Sequence, residues 1–598
     1  MTAYNAPLAD MEFLIKDVFD LDSITALPGY EDATADMVEA ILEEAGKFGR
    51  DVIAPLAKIS DEQHCKFEDR SVTTPDGFKE AYAQFIEGGW NGVGGDPEFG
   101  GMGLPFVVSN AVSEIWNSGS VAFGLCPMLT IGAIEALMHH ASDEQKATYL
   151  EKMVTGVWTG TMNLTESSAG SDLGAVRTKA EKQDDGTYLI TGQKIFITFG
   201  EHDMAENIIH LVLARTPDAP AGARGISLFI VPKFMVNEDG SLGERNDAYA
   251  ISIEHKMGIH GSPTAVMSFG DDGKGAVGYL VKEEGKGLAC MFTMMNDARL
   301  NVGNEGFAAA ERAYQGALEY ARERVQSPLI GSGDKTSVSI DKHPDVRRML
   351  LSMKAKTEAA RAMSYFTARQ QDIFTKSDSV DARKQADALI QLMTPIVKAW
   401  STDIGIEVAD TGIQVHGGAG FIEESGAPQW LRDVRITAIY EGTNGIQAND
   451  LIGRKIAMND GAYVNAILPQ IKADLKALKD AGDVFKSMAA DIEVGLGNVE
   501  KSVTWLIESY KSNPQQAATG SVHFLKLAGN VFGAWLLAKS ALIAQGKLDA
   551  NEGDPIFMNA KINTARFFID QILPTSSALK AIFTKGYQSV LDCKDEYL

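Results

Sequence analysis

One carboxylate stands at the end of an apolar stretch in the segment ITAIYEGTNGIQ (436–447). Glu441 follows an aromatic residue and precedes a glycine and a threonine. Partial removal of a carboxylate from water disfavours its charged form and makes it a stronger base. A general base that takes a proton from carbon is therefore one interpretation of Glu441. A salt bridge at a helix end is the other.

Two segments rich in small residues have the composition of ligand-binding loops. The first, NLTESSAGSDLGAVRTKAE (163–181), combines hydroxyl groups with few bulky side chains, so its backbone N–H groups could receive a diphosphate or the edge of a planar ring. In the second, GIQVHGGAGFIEE (412–424), glycines follow an apolar helical pattern and permit close approach of a ligand. Their ordinary structural interpretations are a turn and a helix end, respectively.

A third segment, ITGQKIFITFG (190–200), has the alternation of a β-strand. We predict a pair of strands around TGQ, with Phe196 and Thr198 on the same face. These side chains would either contact a ligand or be buried in the core of the domain.

The elements that must position these segments change along the chain. Helical periodicity dominates the first part and is broken by GGDPEFGGMGLP (94–105). The runs YLITGQKIFIT, IIHLVLA, ISLFIVPKF and GAVGYLV then predict strands, before long amphipathic helical patterns return. We expect an α+β multidomain protein. Its predicted parts are an extension (1–34), an N-terminal helical domain (35–160), a middle antiparallel β domain (161–282) forming a small barrel or sandwich, a helical bundle (283–456) and an added C-terminal helical domain (457–598).

Composition excludes several classes of function. The 598 residues, 45% of them apolar, exceed what one core usually serves. A net charge of −25 argues against a nucleic-acid partner, and the four widely separated cysteines favour neither a zinc site nor a disulfide framework. The acidic N-terminal sequence lacks the features of a signal peptide, so a cytoplasmic location is expected. The apolar run at 527–544 contains Asn530 and Lys539, which favours a buried helix over a membrane span.

The order of five motifs carries a family resemblance. LTESSAGSD, GQKIFIT, ARERV, QVHGG and YEGT occur in the order found in the acyl-CoA dehydrogenase family, which the chain resembles over about residues 40–455. The resemblance implies FAD-dependent conversion of an acyl-CoA to a trans-2-enoyl-CoA, with Glu441 taking the α proton. It also implies a homodimer that passes electrons to an electron-transferring flavoprotein. The chain length and SIEHKMGIHGSPT (252–264) resemble a longer subgroup that includes an enzyme of dimethylsulfoniopropionate breakdown, acting on a thioether acyl-CoA.

The resemblance also assigns roles to matching positions. The residues expected to contact FAD are Leu164, Thr165, Ser171, Phe196, Thr198, Arg324, Gln414, Gly418 and Thr443. Those expected to contact the acyl-CoA are Ser171, Arg299 and Gly442. Phe196 replaces the usual tryptophan, and Gln326 and Ser327 replace the usual Thr-Phe pair after the arginine motif. The second position at which the family places its base is Ala298, which leaves Glu441 as the base.

Other polar groups are interpreted as structural. We expect Glu166 and Asp172 to accept hydrogen bonds within their loop, and His416, His139 and His140 to have no direct chemical role. The methionines of MFTMM (291–295) fit a core or an acyl pocket. Two alternative functions remain open: an acyl-CoA oxidase that uses O₂, and a catalytically silent scaffold on the same fold.

Overall fold

The computed structural model describes residues 3–598 and divides into two compact units. The first unit contains the described residues up to Gly46, together with Pro105–Ser118 and Val302–Leu598. The second unit contains Lys47–Leu104 and Gly119–Asn301. The predicted sequence of helices, then strands, then helices is the observed one.

The chain forms the following helices and strands. In chain order the α-helices are α1 (Leu8–Glu12), α2 (Leu21–Thr25), α3 (Ala35–Phe48), α4 (Ala54–Gln63), α5 (Phe78–Glu87), α6 (Phe106–Gly119), α7 (Val121–His140), α8 (Asp143–Val154), α9 (Gly287–Glu323), α10 (Pro344–Lys376), α11 (Val380–His416), α12 (Ala427–Val434), α13 (Asn444–Asp450), α14 (Ala462–Asp480), α15 (Asp483–Ser512), α16 (Pro514–Ala518), α17 (Ser521–Ala550), α18 (Pro555–Gln571), α19 (Thr575–Lys585) and α20 (Tyr587–Leu591). The strands are β1 (Lys66–Glu68), β2 (Ser71–Thr73), β3 (Trp158–Asn163), β4 (Lys179–Lys182), β5 (Tyr188–Thr198), β6 (Asn207–Ala214), β7 (Ser227–Pro232), β8 (Phe234–Val236), β9 (Leu242–Arg245), β10 (Ala248–Ile253), β11 (Thr264–Phe269), β12 (Ala276–Leu280), β13 (Val325–Pro328) and β14 (Ser337–Ser339).

The second unit contains an eight-stranded sheet. Its strand order is β10-β11-β5-β12-β7-β6-β3, with β4 also paired to β5. The prediction of an antiparallel domain is wrong for one pair of strands, because β3 and β6 are parallel. A parallel pair needs a crossover connection, and β4 and β5 lie in the chain between these two strands. Apolar side chains of seven strands form the core of this domain, including Ile190, Val212 and Phe229.

The predicted pair of strands around TGQ is a single strand, β5. Ile195 and Phe196 together stand opposite Val266, which is a β-bulge, and Phe196 has a left-handed φ of 61°. Lys194 and Ile197 are both buried and Phe196 is exposed, so the burial pattern shifts by one residue at the bulge. Simple alternation from the sequence could not reveal this local insertion.

The first unit is a helical assembly around α10, α11 and α17. The Trp400 indole N–H donates to Asn530 Oδ1 at 2.9 Å. Gly529 allows this close packing, since a Cβ there would lie 2.3 Å from the Trp400 ring. Phe568 and Leu573, in the apolar stripe near the C-terminus, are buried within this unit.

Among the described residues, two helices are long and apolar enough to cross a membrane: α7 and α17. In each, 83% of the apolar window is buried inside the structure. Core helices of globular proteins can have the same length, apolar composition and burial. The sequence interpretation had identified only the second of them.

Candidate functional site

Glu441 lies in a strained loop of the first unit. It has a φ of 55°, and Gly442 after it has a φ of 83°. Glycine adopts the left-handed region without penalty, whereas a glutamate does so at a cost. Strain of this kind persists only when the surrounding structure enforces it, and it is frequent at active sites. The Glu441 side chain is half-buried.

Side chains of α13 and of its N-cap residue fix this loop. The Gln447 amide donates to the carbonyl oxygens of Glu441 (3.3 Å) and Gly442 (3.2 Å). The Thr443 hydroxyl accepts from the Ile446 N–H at 3.2 Å and caps α13. The backbone from Glu441 to Thr443 is therefore held in place.

Asn444 ties the same loop to α11. Its amide donates to Asp403 Oδ1 at 2.7 Å and to Thr402 Oγ1 at 3.0 Å. Its Oδ1 accepts from Lys398 Nζ at 3.0 Å. Burial raises the pKa of Asp403, and the bond from Asn444 partly offsets that rise. This network explains how the strained conformation is maintained.

The sequence interpretation missed Glu305, a fully buried acid on α9. The Tyr440 hydroxyl donates to Glu305 Oε2. Burial is the main cause that raises the pKa of Glu305 to about 8; the charge of Glu441 adds to the rise, and Tyr440 and Lys398 oppose it. The available signal was a lone acid among apolar and small residues, in NVGNEGFAAA.

The predicted flavin-binding loop of the second unit is organised by Glu166. Its carboxylate accepts from the backbone N–H groups of Arg177 (2.7 Å) and Thr178 (3.0 Å) and from the Thr178 hydroxyl (2.6 Å). The interpretation of Glu166 as a hydrogen-bond acceptor within its loop is confirmed. Asp172 likewise accepts from the Gly174 N–H at 2.9 Å.

Lys194, a second residue that the sequence interpretation missed, connects this loop to β5. Its buried ammonium group donates to Glu166 Oε1 at 2.8 Å and to the Leu164 carbonyl at 3.0 Å. Burial lowers the pKa of Lys194 to about 8, although Glu166 acts in the opposite direction. The Ile195 N–H donates to the Thr165 carbonyl at 2.9 Å. Leu164 and Thr165 are thus brought to the edge of β5.

The other predicted flavin contacts of this unit differ in exposure. Leu164 is 8% exposed, whereas Phe196 is 59% exposed. Ser171 is exposed and Thr198 is half-buried. A large apolar ring that stays exposed on a strand is a surface suited to contact with a ligand.

Arg299 lies on α9, two residues before Asn301, the last residue of the second unit. Its Nη1 donates to Asn296 Oδ1 at 3.3 Å, and its Cζ lies 6.0 Å from the centre of the Phe292 ring. Burial, followed by the charge of Glu135, raises the pKa of the neighbouring Asp297 to about 7.

The predicted FAD contacts Arg324, Gln414 and Gly418 of the first unit are all exposed. Arg324 directly follows α9, Gln414 lies in the last turn of α11, and nothing lies within 4 Å of a Cβ placed at Gly418. His416 donates through Nδ1–H to the Gly412 carbonyl at 2.7 Å and stacks on Tyr320 with 4.6 Å between ring centres. These contacts fit the interpretation of His416 as a structural residue at a helix end.

Family models match four consecutive parts of the chain. They are the acyl-CoA dehydrogenase N-terminal domain (36–157), middle domain (161–271) and C-terminal domain (285–456), and an acetyl-CoA dehydrogenase C-terminal like domain (467–594). The chain therefore belongs to the acyl-CoA dehydrogenase family of oxidoreductases. The predicted family and fold class are confirmed.

Particular relatives span nearly the whole chain. It is 47% identical over 588 residues to 3-methylmercaptopropionyl-CoA dehydrogenase of Ruegeria pomeroyi, covering 98% of this chain and 99% of the relative. It is 38% identical over 612 residues to a butyryl-CoA dehydrogenase of Syntrophomonas wolfei, covering 99% of each. A crystal structure of an acyl-CoA dehydrogenase from Bacillus anthracis complexed with FAD has the same fold, with a TM-score of 0.73 at 20% identity and coverage of 98% of this chain and 93% of that one.

Proposed function

We propose that this protein removes the α and β hydrogens of an acyl-CoA thioester and that Glu441 takes the α proton. The observation that carries this proposal is the left-handed Glu441, whose loop is fixed by Gln447 and Asn444. A carboxylate held in a defined position avoids the loss of conformational freedom that a mobile base would suffer in the transition state. Ala298 at the family's second base position is buried and has no ionisable group.

The residues present fit FAD as the cofactor. The exposed Phe196 ring offers an apolar face, and the loop from Leu164 to Ser171 offers hydroxyl and backbone groups beside it. Lys194 and Glu166 hold that loop in one conformation. FAD, when bound, accepts the β hydrogen and the two electrons. Thr165, Thr198 and the other predicted contacts, Arg324, Gln414, Gly418 and Thr443, would hold the cofactor.

The chain's own residues account for the proton transfer. In this proposal Glu441 removes the α proton while Gly442, which lacks a side chain, leaves room for the thioester. The Thr443 hydroxyl keeps the end of the loop capped. Arg299 and Ser171 would contact the acyl-CoA, and the half-buried position of Glu441 limits water around the transferred proton.

We further propose 3-methylmercaptopropionyl-CoA as the substrate, in dimethylsulfoniopropionate catabolism. The support is the 47% identity to the Ruegeria enzyme over almost the full length of both chains. An electron-transferring flavoprotein is the proposed electron acceptor, and a cytoplasmic homodimer is the proposed form of the protein. No membrane span is part of this proposal.

The test is anaerobic mixing of the purified holoenzyme with a panel of acyl-CoAs while flavin absorbance is recorded. The panel contains 3-methylmercaptopropionyl-CoA, butyryl-CoA and longer straight-chain thioesters. We expect the thioether substrate to bleach the flavin of the wild-type enzyme but not that of Glu441→Gln. The flavin of Glu508→Gln, which carries the same change at an exposed residue, should be bleached normally.

The other outcomes identify the alternatives. No bleaching by any acyl-CoA despite bound FAD would contradict the proposal and favour a silent scaffold. Rapid O₂ consumption after bleaching would identify an oxidase. Faster bleaching by butyryl-CoA would replace the proposed substrate and leave the reaction intact.

A further inference from the structure

A buried carboxyl group adjoins the loop of the proposed base. Glu305 is 0% exposed, and every residue from Asn301 to Ala310 on α9 is also buried. Its Oε2 accepts the hydrogen bond from Tyr440, whereas its Oε1 has no hydrogen-bond partner among the described residues. A buried polar atom left without a partner is costly and calls for an explanation.

Three groups on neighbouring elements act on Glu305. Tyr440 and Glu441 lie on the base loop, and Lys398 lies on α11. The positive charge of Lys398 attracts the ionised Glu305 carboxylate and lowers its pKa. The Lys398 ammonium group is, however, already bonded to Asn444 Oδ1. Because burial and the charge of Glu441 outweigh the attraction, the pKa of Glu305 is raised to about 8. Glu305 is therefore protonated at neutral pH.

We propose that Glu305 is a positioning residue for Glu441: the two acids form a coupled pair in which the buried Glu305 carboxyl group anchors the Tyr440 hydroxyl and so steadies the loop of the base. This inference rests on the proposed role of Glu441. Tyr440 directly precedes Glu441 in the chain, so its anchored hydroxyl restrains the residue that adopts the left-handed conformation.

The coupling links Glu305 to the state of the base. A protonated Glu305 places no negative charge beside Glu441, whereas an ionised Glu305 repels its carboxylate and displaces it from the thioester. When Glu441 takes up the α proton, this repulsion ends, and Glu305 holds its own proton less tightly. The rate of flavin reduction is therefore expected to fall as Glu305 ionises in alkaline solution.

Three variants separate the charge from the hydrogen bond. Glu305→Gln keeps an acceptor for Tyr440 but does not ionise. Glu305→Leu removes the acceptor, and Tyr440→Phe removes the hydroxyl and keeps the ring. The measurement is the rate constant of anaerobic flavin reduction by an acyl-CoA as a function of pH, with KM determined separately.

We expect the wild-type rate to fall with an ionisation near 8 that Glu305→Gln lacks. Glu305→Gln should stay within about threefold of the wild-type rate at neutral pH, whereas Glu305→Leu and Tyr440→Phe should be slower by about tenfold, the effect of one lost buried hydrogen bond. The KM should change little, because Glu305 acts through Tyr440 and Glu441 and not on substrate binding. Retention of the alkaline ionisation in Glu305→Gln would overturn the proposal.

Infrared difference spectroscopy gives a readout that does not depend on activity. The infrared spectrum of the wild type minus that of Glu305→Gln should show the C=O band of a protonated carboxyl group at neutral pH. This band should disappear as the pH rises. On a Glu441→Gln background this band should disappear at lower pH, since the repelling charge is gone. Asp372→Asn is the control, because burial raises the pKa of Asp372 to about 7 elsewhere in the same unit. This variant should lose a different carboxyl band and keep the band of Glu305.

The two proposals fail in different ways. Absence of the Glu305 band would overturn the coupled pair, whatever the enzyme oxidises. If the flavin of Glu441→Gln is bleached normally and the Glu305 band is present, the proposed function is overturned and the coupled pair is retained.

Discussion

Two buried acids of the first unit have opposite surroundings. Asp10 accepts from Arg361 Nη1 at 2.6 Å and is also paired with Lys561. Glu305 is equally buried but has a tyrosine hydroxyl and another acid as close neighbours. Burial favours the protonated form of both. The two cations reverse this for Asp10 and lower its pKa, whereas the pKa of Glu305 is raised.

The difference distinguishes a structural acid from one suited to control chemistry. Arg361 also pairs with Glu114 at 2.7 Å and with Glu311 at 2.8 Å, so it joins three acids from different parts of the chain. Such a cluster holds helices together; its cations lower the pKa of Asp10, although burial raises that of Glu114. An acid for which burial outweighs the attraction of a cation instead changes its charge near neutral pH, where the proposed base can respond to it.

The largest expected effect comes from removing the central cation of the cluster. Arg361→Met should lower the free energy of unfolding by about 5 kcal/mol, because three acids lose their buried partner at once. Urea denaturation monitored by circular dichroism measures this loss. A loss below about 1 kcal/mol would show that the cluster is not the structural element described above.

Asp10→Asn should have a smaller effect. At neutral pH it should lower the free energy of unfolding by about 3 kcal/mol, because Arg361 and Lys561 each lose one buried acidic partner. The folded-state pKa of Asp10 is lowered, so its contribution is present above its unfolded-state pKa and is lost as the pH falls through the folded-state value. The difference in stability between wild type and variant should therefore shrink in strong acid. Unfolding curves at several acidic pH values test this; a constant difference would contradict it.

Glu305→Gln should show the opposite dependence on pH. The folded-state pKa of Glu305 is about 8, above that of an unfolded glutamate, so its protonation stabilises the folded state fully below the unfolded pKa and this contribution is lost as the pH rises through the folded value. The variant should gain about 2 kcal/mol relative to wild type between about pH 6 and about pH 8. Parallel unfolding curves across this range would contradict the raised pKa.

The smallest effect is expected at an exposed ion pair. Lys511 lies 2.8 Å from Asp460, with side chains 66% and 72% exposed. Lys511→Ala should change the free energy of unfolding by less than about 0.5 kcal/mol, since water screens such pairs. A loss comparable to that of Asp10→Asn would show that burial is not what separates these sites.

The sequence was sufficient to predict the order of helices and strands, the family and the fold class, because hydrophobic periodicity and ordered motifs are local signals. It could not predict the parallel pairing of β3 with β6, which depends on where a distant strand inserts. Nor could alternation reveal the bulge at Phe196. Glu305 and Lys194 were missed because their importance comes from partners far along the chain or from burial. The individual site roles remain predictions.

The most direct test of Glu441 uses a thioester that has α hydrogens but no β hydrogen, such as 3,3-dimethylbutyryl-CoA. Dehydrogenation is then impossible, and only removal and return of the α proton can be observed. The measurement is exchange of the α hydrogens with D₂O by mass spectrometry, with Glu508→Gln as the control. Exchange by wild type and the control, and none by Glu441→Gln, is the predicted result; equal exchange by Glu441→Gln would contradict the assignment of Glu441 as the base.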